Sequence, residues 1–271
     1  MSASYTKNAI LLWILAIILT LSSVVYQRLT GPTHPIRGSI EIDGETVQFK
    51  LLRTHDSTDD AKMELHIPSA QITGELHWRR YLSLDTWSTK ALERKDNNLI
   101  IAIPKQPAAG KVMYRISLID SKDKKHYLTD ESVIIRFKDP VPLVFLMPHI
   151  IFMFAGMLLA VRTGFEAITR GDKAFKLSLL TAILLILGGL VFGPIVQKYA
   201  FGEFWTGWPF GHDMTDTKTA AVLILWLIAL WRTRAAGKGR VWIIVAAATT
   251  LLIYLLPHSM MGSEIDYTKT K

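Results

Sequence analysis

Residues 204–218 read FWTGWPFGHDMTDTK, which gathers Trp205, Trp208, Phe210, His212, Asp213, Asp216 and Lys218 between two strongly apolar stretches. Imidazole beside carboxylate is a donor set for a transition metal, so His212, Asp213 and Asp216 are candidate ligands, with His258 as a fourth. A carboxylate in that position also suits proton handling. Each group has a structural role open to it as well. Thr215 or Asp216 is a natural helix N-cap, Asp216 can pair with Lys218, and aromatic side chains mark membrane–water interfaces. Which reading holds depends on the solvent this stretch meets.

That solvent is set by the apolar segments around it. Half of the 271 residues are hydrophobic and the mean hydropathy is +0.26. Four windows read as membrane spans, Asn8–Tyr26, Val141–Val161, Leu177–Val196 and Val241–Leu256, and a shorter fifth covers Thr219–Trp231. The expected organisation is an integral membrane α+β chain. Residues 1–28 form an N-terminal transmembrane anchor and 29–140 an extracytoplasmic β-sandwich. Residues 141–258 form a four-helix transmembrane bundle with an outward aromatic loop, 198–218, and 259–271 form an extracytoplasmic tail. The first stretch has no small-x-small cleavage site after it, which favours a retained anchor over a signal peptide.

The charge reports topology. The net charge is +8, yet residues 37–139 carry 17 Lys/Arg against 16 Asp/Glu, leaving +7 for the apolar part. Most of it falls in two short loops, one with Arg162, Arg170, Lys173 and Lys176, the other with Arg232, Arg234, Lys238 and Arg240. Basic short loops stay in the cytoplasm. The N-terminus is then cytoplasmic, the strand domain and C-terminus lie outside, and a bacterial inner membrane is the expected location. The lipid bilayer accounts for the charge, and no nucleic-acid partner is implied. Cysteine is absent, so neither disulfides nor thiolate ligands are available.

From Gly38 to Phe137 the hydrophobic pattern has period two. Val47, Phe49 and Leu51 alternate with polar residues, as do Met63, Leu65 and Ile67, and again Val112, Tyr114, Ile116 and Leu118. Turn-forming breaks such as Asp43-Gly44 and Asp96–Asn98 separate the runs. Six to eight short strands predict an antiparallel sandwich similar in length and rhythm to immunoglobulin-like or fibronectin type III modules. Leu76-His77-Trp78-Arg79-Arg80-Tyr81 is a candidate docking edge, because aromatics and Arg are enriched at interfaces.

A membrane helix of ~20 residues ending at Arg232 reaches back to His212, which puts Asp213, Asp216 and Lys218 at membrane depth. His149, eight residues into the second span, lies on the order of 12 Å below the same surface. His258 follows Leu256-Pro257 at the end of the last span. Ionisable groups at such depth face a protein interior or wet cavity, so the loop is expected to cap a polar pocket in the bundle. Gly189 and Gly193 give the third helix a small-xxx-small face for close packing.

The segment Tyr199-Ala200-Phe201-Gly202-Glu203-Phe204-Trp205-Thr206-Gly207-Trp208, followed by Asp213 and Lys218-Thr219, resembles the tryptophan-rich WWD segment of cytochrome c assembly proteins. The resemblance covers residues 141–266. It departs from the family pattern in reading Phe-Gly-x-x-Trp-x-x-Trp, with four residues before Asp213. It implies haem presented at the outer face, with His149 and His258 as axial ligands and Trp205 and Trp208 as the apolar platform.

Three functions remain in competition. The first is a haem or transition-metal site. The second is a non-enzymatic module binding a periplasmic or membrane partner, or serving as a subunit of a larger membrane complex. The third is quinone chemistry using a histidine and a carboxylate. No Gly-x-Ser-x-Gly elbow, Walker sequence, His-Glu-x-x-His or dinucleotide fingerprint is present. The expectation that separates them is that a scaffold needs no ionisable residue, such as His149, two turns inside a membrane helix.

Overall fold

The computed structural model describes residues 2–236, 239–256 and 264–269. Side chains of 2–8, 235 and 236 are excepted, and His258 and Lys238 lie outside the described residues. The chain mixes helices and strands in two compact units. One falls within Met1–Pro32, Val141–Tyr199 and Glu203–Gly262, and the other within Thr33–Pro140, Ala200–Gly202 and Ser263–Lys271.

The second is the strand unit. Its elements are β1 (Ile36–Ile42), β2 (Glu45–Leu51), β3 (Thr54–Asp56), β4 (Ala61–His66), β5 (Thr73–Arg80), β6 (Ser88–Ala91), β7 (Glu93–Lys95), β8 (Asn98–Ile103), β9 (Lys111–Ile119), β10 (Lys125–Tyr127) and β11 (Val133–Lys138). They form three sheets where an immunoglobulin-like sandwich has two. These are β1-β2, β4-β8-β7, and β3-β11-β9-β5-β6 with β10 on β9. One pairing departs from the antiparallel expectation: β3 runs parallel to β11, with Arg136 opposite Thr54.

Alternation positions the core as the sequence pattern requires. In β4, Ala61, Met63 and Leu65 are buried while Lys62, Glu64 and His66 are exposed. Val112, Tyr114, Ile116 and Leu118 are all fully buried, and they join Val47, Leu51, Ile101, Ile135 and Phe137 in one cluster. Tyr114 is tolerated there because its hydroxyl donates to the Leu52 carbonyl at 2.7 Å. Burial pushes its phenol well above the ordinary tyrosine range. The β1–β2 hairpin turns through Asp43 and Gly44, with φ of 50° and 81°, the left-handed pair that a tight hairpin demands.

The helical unit comprises α1 (Ser2–Thr30), α2 (Leu143–Ile168), α3 (Ala174–Ile186), a π-helical segment (Leu187–Phe192), α4 (Gly193–Phe201), α5 (Met214–Ala236) and α6 (Arg240–Leu255). Among the described residues, four helical stretches are long and apolar enough to cross a membrane: Ala9–Thr30, Leu143–Ile168, Ala174–Phe201 and Met214–Arg234. The short element differs from expectation. The helix read as Thr219–Trp231 extends at both ends, while Arg240–Leu255 is the shorter apolar helix.

Small residues let these helices meet. Ala160, Ala182, Ala229, Ala246 and Ala247 share a cluster with Leu185, Val222, Leu223 and Trp226. Trp226 is fully buried and donates its indole N–H to Thr250 Oγ1 at 3.0 Å. A Cβ on Gly188 would stand 2.8 Å from Met153 Sδ, and one on Gly189 2.6 Å from Thr219 Cγ2. The third helix therefore packs on α2 and α5 through its glycines.

Candidate functional site

The aromatic loop is built around two carboxylates. Asp216, in the first turn of α5, accepts with one oxygen from the amides of Thr206 (2.7 Å) and Gly207 (3.0 Å) and from the Gln197 side-chain amide of α4 (3.1 Å). Asp213, just before α5, accepts from the Thr215 amide at 2.7 Å, as an N-cap does. Its other oxygen receives the Thr206 hydroxyl at 3.4 Å. Thr217 closes the ring: its hydroxyl donates to the Asp213 carbonyl (2.8 Å) and accepts from the Trp208 amide (3.0 Å).

Gly207 fits because nothing larger would. A Cβ there would lie 2.4 Å from Asp216 Cβ and 2.8 Å from the Thr217 nitrogen. Both carboxylates are buried, Asp213 at 6% and Asp216 at 7% exposure. The aromatics divide. Trp205 is half-buried and donates its indole N–H to the Trp208 carbonyl at 3.2 Å. Trp208 and Phe210 stand out, at 68% and 84% exposure.

Among the candidate metal donors, Asp213 and Asp216 are brought together by the loop, but their oxygens serve its backbone. His212 is exposed, and His258 lies outside the described residues. No group of three His, Asp or Glu among the described residues could hold a metal ion.

His149 has a structural partner. Its Nδ1–H donates to the Gly188 carbonyl at 2.9 Å, in the π-helical segment, where the altered repeat frees backbone groups from the usual ladder. A neutral His149 then keeps its lone pair on Nε2, the form a haem ligand needs. The cavity between α2, α3, α5 and α6, lined by Met153, Leu185, Thr215, Lys218, Val222 and Tyr254, has a volume of about 30 Å³. That holds water on the scale of a molecule or two.

Two polar pairs escaped the sequence reading. Arg162, read as part of a cytoplasmic loop, lies inside α2. Its Nη2 meets Glu166 at 2.7 Å, with both side chains almost fully buried. Glu166 also accepts from the Lys173 amide at 3.1 Å, and a Cβ on Gly171 would collide with its carboxylate. The Arg-x-x-x-Glu spacing, one helical turn apart, was the available signal. In the strand unit, His77 Nε2 lies 3.0 Å from Ser117 Oγ, and its Nδ1 lies 3.0 Å from Thr89 Oγ1. Ser117 is fully buried and Glu75 approaches the same Nε2, at 3.5 Å. This is not the base-and-orienter arrangement that activates a serine nucleophile.

No protein-family profile matches the chain, and no curated protein matches it significantly. Among solved structures it is similar to a β-1,2-glucanase from Parabacteroides distasonis at 10% identity and a TM-score of 0.21, over 82% of this chain and 34% of that one. The chain spans about a third of that enzyme's length, and a similarity of this size carries no functional argument.

Proposed function

We propose that this chain is a polytopic protein of the bacterial cytoplasmic membrane that holds its strand unit outside the cytoplasm as a partner-binding module. The observation that favours this over a haem, metal or quinone site is the use of Asp213 and Asp216. Their oxygens stabilise the loop's own amides, and what the loop presents outward is Trp208 and Phe210. Exposed aromatics on a rigid loop at the start of a membrane-length helix suit the headgroup layer.

Three further observations support the reading. The helical unit turns apolar side chains outward, with Leu143 70%, Trp231 64% and Leu252 63% exposed, as a surface solvated by lipid does. The strand unit contains Ala200–Gly202 and 264–269, so the chain returns to it after two helical passes and again after two more. The Asp139 amide donates to the Ala200 carbonyl at 3.0 Å, and Lys111 pairs with Glu264 at 2.6 Å. Those segments share one compartment with the strands, the same parity that the basic loops imply.

Because cysteine is absent, single cysteines report topology without background. Asp123→Cys and Phe210→Cys should react with an impermeant maleimide in spheroplasts, and Asp172→Cys only after permeabilisation. A photo-reactive residue at Leu84, 88% exposed, should give discrete adducts in native membranes, while one at Lys62 should not. Reversed labelling, or adducts no different between the two positions, would reject the module. A Soret band in the purified protein, lost in His149→Ala, would transfer the assignment to haem.

A further inference from the structure

The Leu76–Tyr81 stretch ends at an edge that already holds a peptide segment, the chain's own C-terminal residues. Lys111, at the start of β9 and only 8% exposed, places its ammonium 2.6 Å from Glu264 Oε2. The same ammonium lies 5.5 Å from the Tyr81 ring centroid. The Ile265 amide donates to the Ala109 carbonyl at 3.3 Å. The Arg80 guanidinium covers the Tyr267 ring at 4.4 Å, and Tyr267 Oη lies 3.3 Å from Gln106 Oε1.

This seat has the features of a built recognition site. Arg80 is fixed from behind by Asp85 through two bonds, at 2.7 and 2.9 Å, so its flat face is pre-oriented to receive an aromatic ring. That pairing holds the Asp85 carboxyl below the usual range and raises the arginine. Lys111 supplies a nearly desolvated cation that only an acidic group satisfies. Gly110 keeps the floor open: a Cβ there would lie 2.9 Å from Tyr267 Oη. Beside the seat, Leu82, Leu84 and Trp87 are exposed at 41%, 88% and 41%, an apolar margin that 264–269 leave uncovered.

We propose that the Arg80–Lys111 edge is a docking site for a short acidic–aromatic peptide segment of a partner protein, spaced Glu-x-x-Tyr, and that residues 264–269 hold it in cis until such a segment displaces them. The inference rests on the partner-module reading and names the kind of partner. Among the described residues, few contacts tie the tail down: one ion pair, one backbone bond, one stacked ring and one side-chain hydrogen bond. They favour a segment that exchanges. The exposed leucines and Trp87 provide what a longer partner segment would add.

The test uses the purified full-length protein, the same chain ending at Gly262, and a fluorescent peptide of residues 263–271, read by anisotropy. A tethered tail competes at an effective concentration on the order of millimolar. The shortened chain should therefore bind the peptide at least ~10-fold more tightly than the full chain. Lys111→Glu in the shortened chain should lose that binding, and a peptide carrying Glu264→Lys should restore it. Absence of saturable binding to a folded shortened chain, or binding indifferent to Lys111→Glu, overturns the site. If the shortened chain does not fold, the full chain carrying Glu264→Lys takes its place. Peptide binding to it supports the site and none overturns it. Leu84 adducts in native membranes without peptide binding here would overturn the docking site while leaving the module reading in place.

Discussion

Replacing Asp216 by alanine should loosen the aromatic loop, by an amount set by the donors it leaves behind. The carboxylate serves the Thr206 and Gly207 amides and the Gln197 side chain. Gln197 keeps an alternative, Thr206 Oγ1 at 2.8 Å, so the cost falls on two backbone amides. A buried donor left unsatisfied costs about 1–3 kcal/mol, giving roughly 2–6 kcal/mol for the pair. Local opening would rise by that factor, roughly thirtyfold to twenty-thousandfold at about 1.4 kcal/mol per decade. Hydrogen exchange in detergent at Thr206 and Gly207 reads it directly, with α3 amides as an internal control. Asp216→Asn keeps a carbonyl acceptor and should cost only about 1–2 kcal/mol, the difference between charge-assisted and neutral bonds. Unchanged exchange at both amides in Asp216→Ala would refute the structural role. Bound metal lost in the same variant would restore the ligand reading.

Glu166→Ala should destabilise the helical unit by about 3–5 kcal/mol, because it strands a buried guanidinium, while Arg162→Met with Glu166→Leu should be near neutral in a thermal melt. Gly207→Ala should match the proteolytic sensitivity of Asp216→Ala across 203–211, since its Cβ would displace Asp216. His77 is held below its ordinary pKa by burial first, with Lys125 and Arg115 adding to the effect against Glu75. Its contribution is complete above the unfolded value near 6.5 and is lost as pH falls through the lower folded one. Strand-unit stability by circular dichroism should drop between pH 7 and 5, and His77→Gln should flatten that slope. Asp120, lowered to about 2 chiefly by His126, should contribute a separate loss only in strong acid, between the ordinary carboxylate range and pH 2, abolished by Asp120→Asn.

What the sequence made legible was whatever periodicity governs. The strands at Met63, Val112 and Val133 follow from alternation, since one face meets a core and the other does not. The Asp43-Gly44 turn follows from the φ values that only such residues adopt readily. Sheet partnership did not follow. The parallel β3–β11 pairing depends on a three-residue strand, Thr54–Asp56, too short to show a period. Arg162 was misplaced because a charge near the end of an apolar run reads as a loop unless its partner is sought one turn away. The tail contact at Lys111 was invisible because Lys111 and Glu264 lie 153 positions apart, and nothing local marks either as paired.

His149 and Asp216 also change the meaning of the feature expected to separate a scaffold from a cofactor site. Ionisable residues in an apolar helix were expected to signal chemistry, on the ground that a scaffold does not need them. That ground fails where the backbone itself is irregular. A π-helical segment frees carbonyls and a glycine-rich loop frees amides, and both must be satisfied where water is scarce. His149 supplies a donor to Gly188 and Asp216 an acceptor to Thr206 and Gly207. Each ionisable group sits where the helical ladder is broken, and each carries the kind of bonding group that the break lacks. A polar side chain at membrane depth must therefore be weighed against the nearest irregular backbone before it is assigned to a ligand. In this chain, that comparison gives His149 and Asp216 a bonding role in the fold itself.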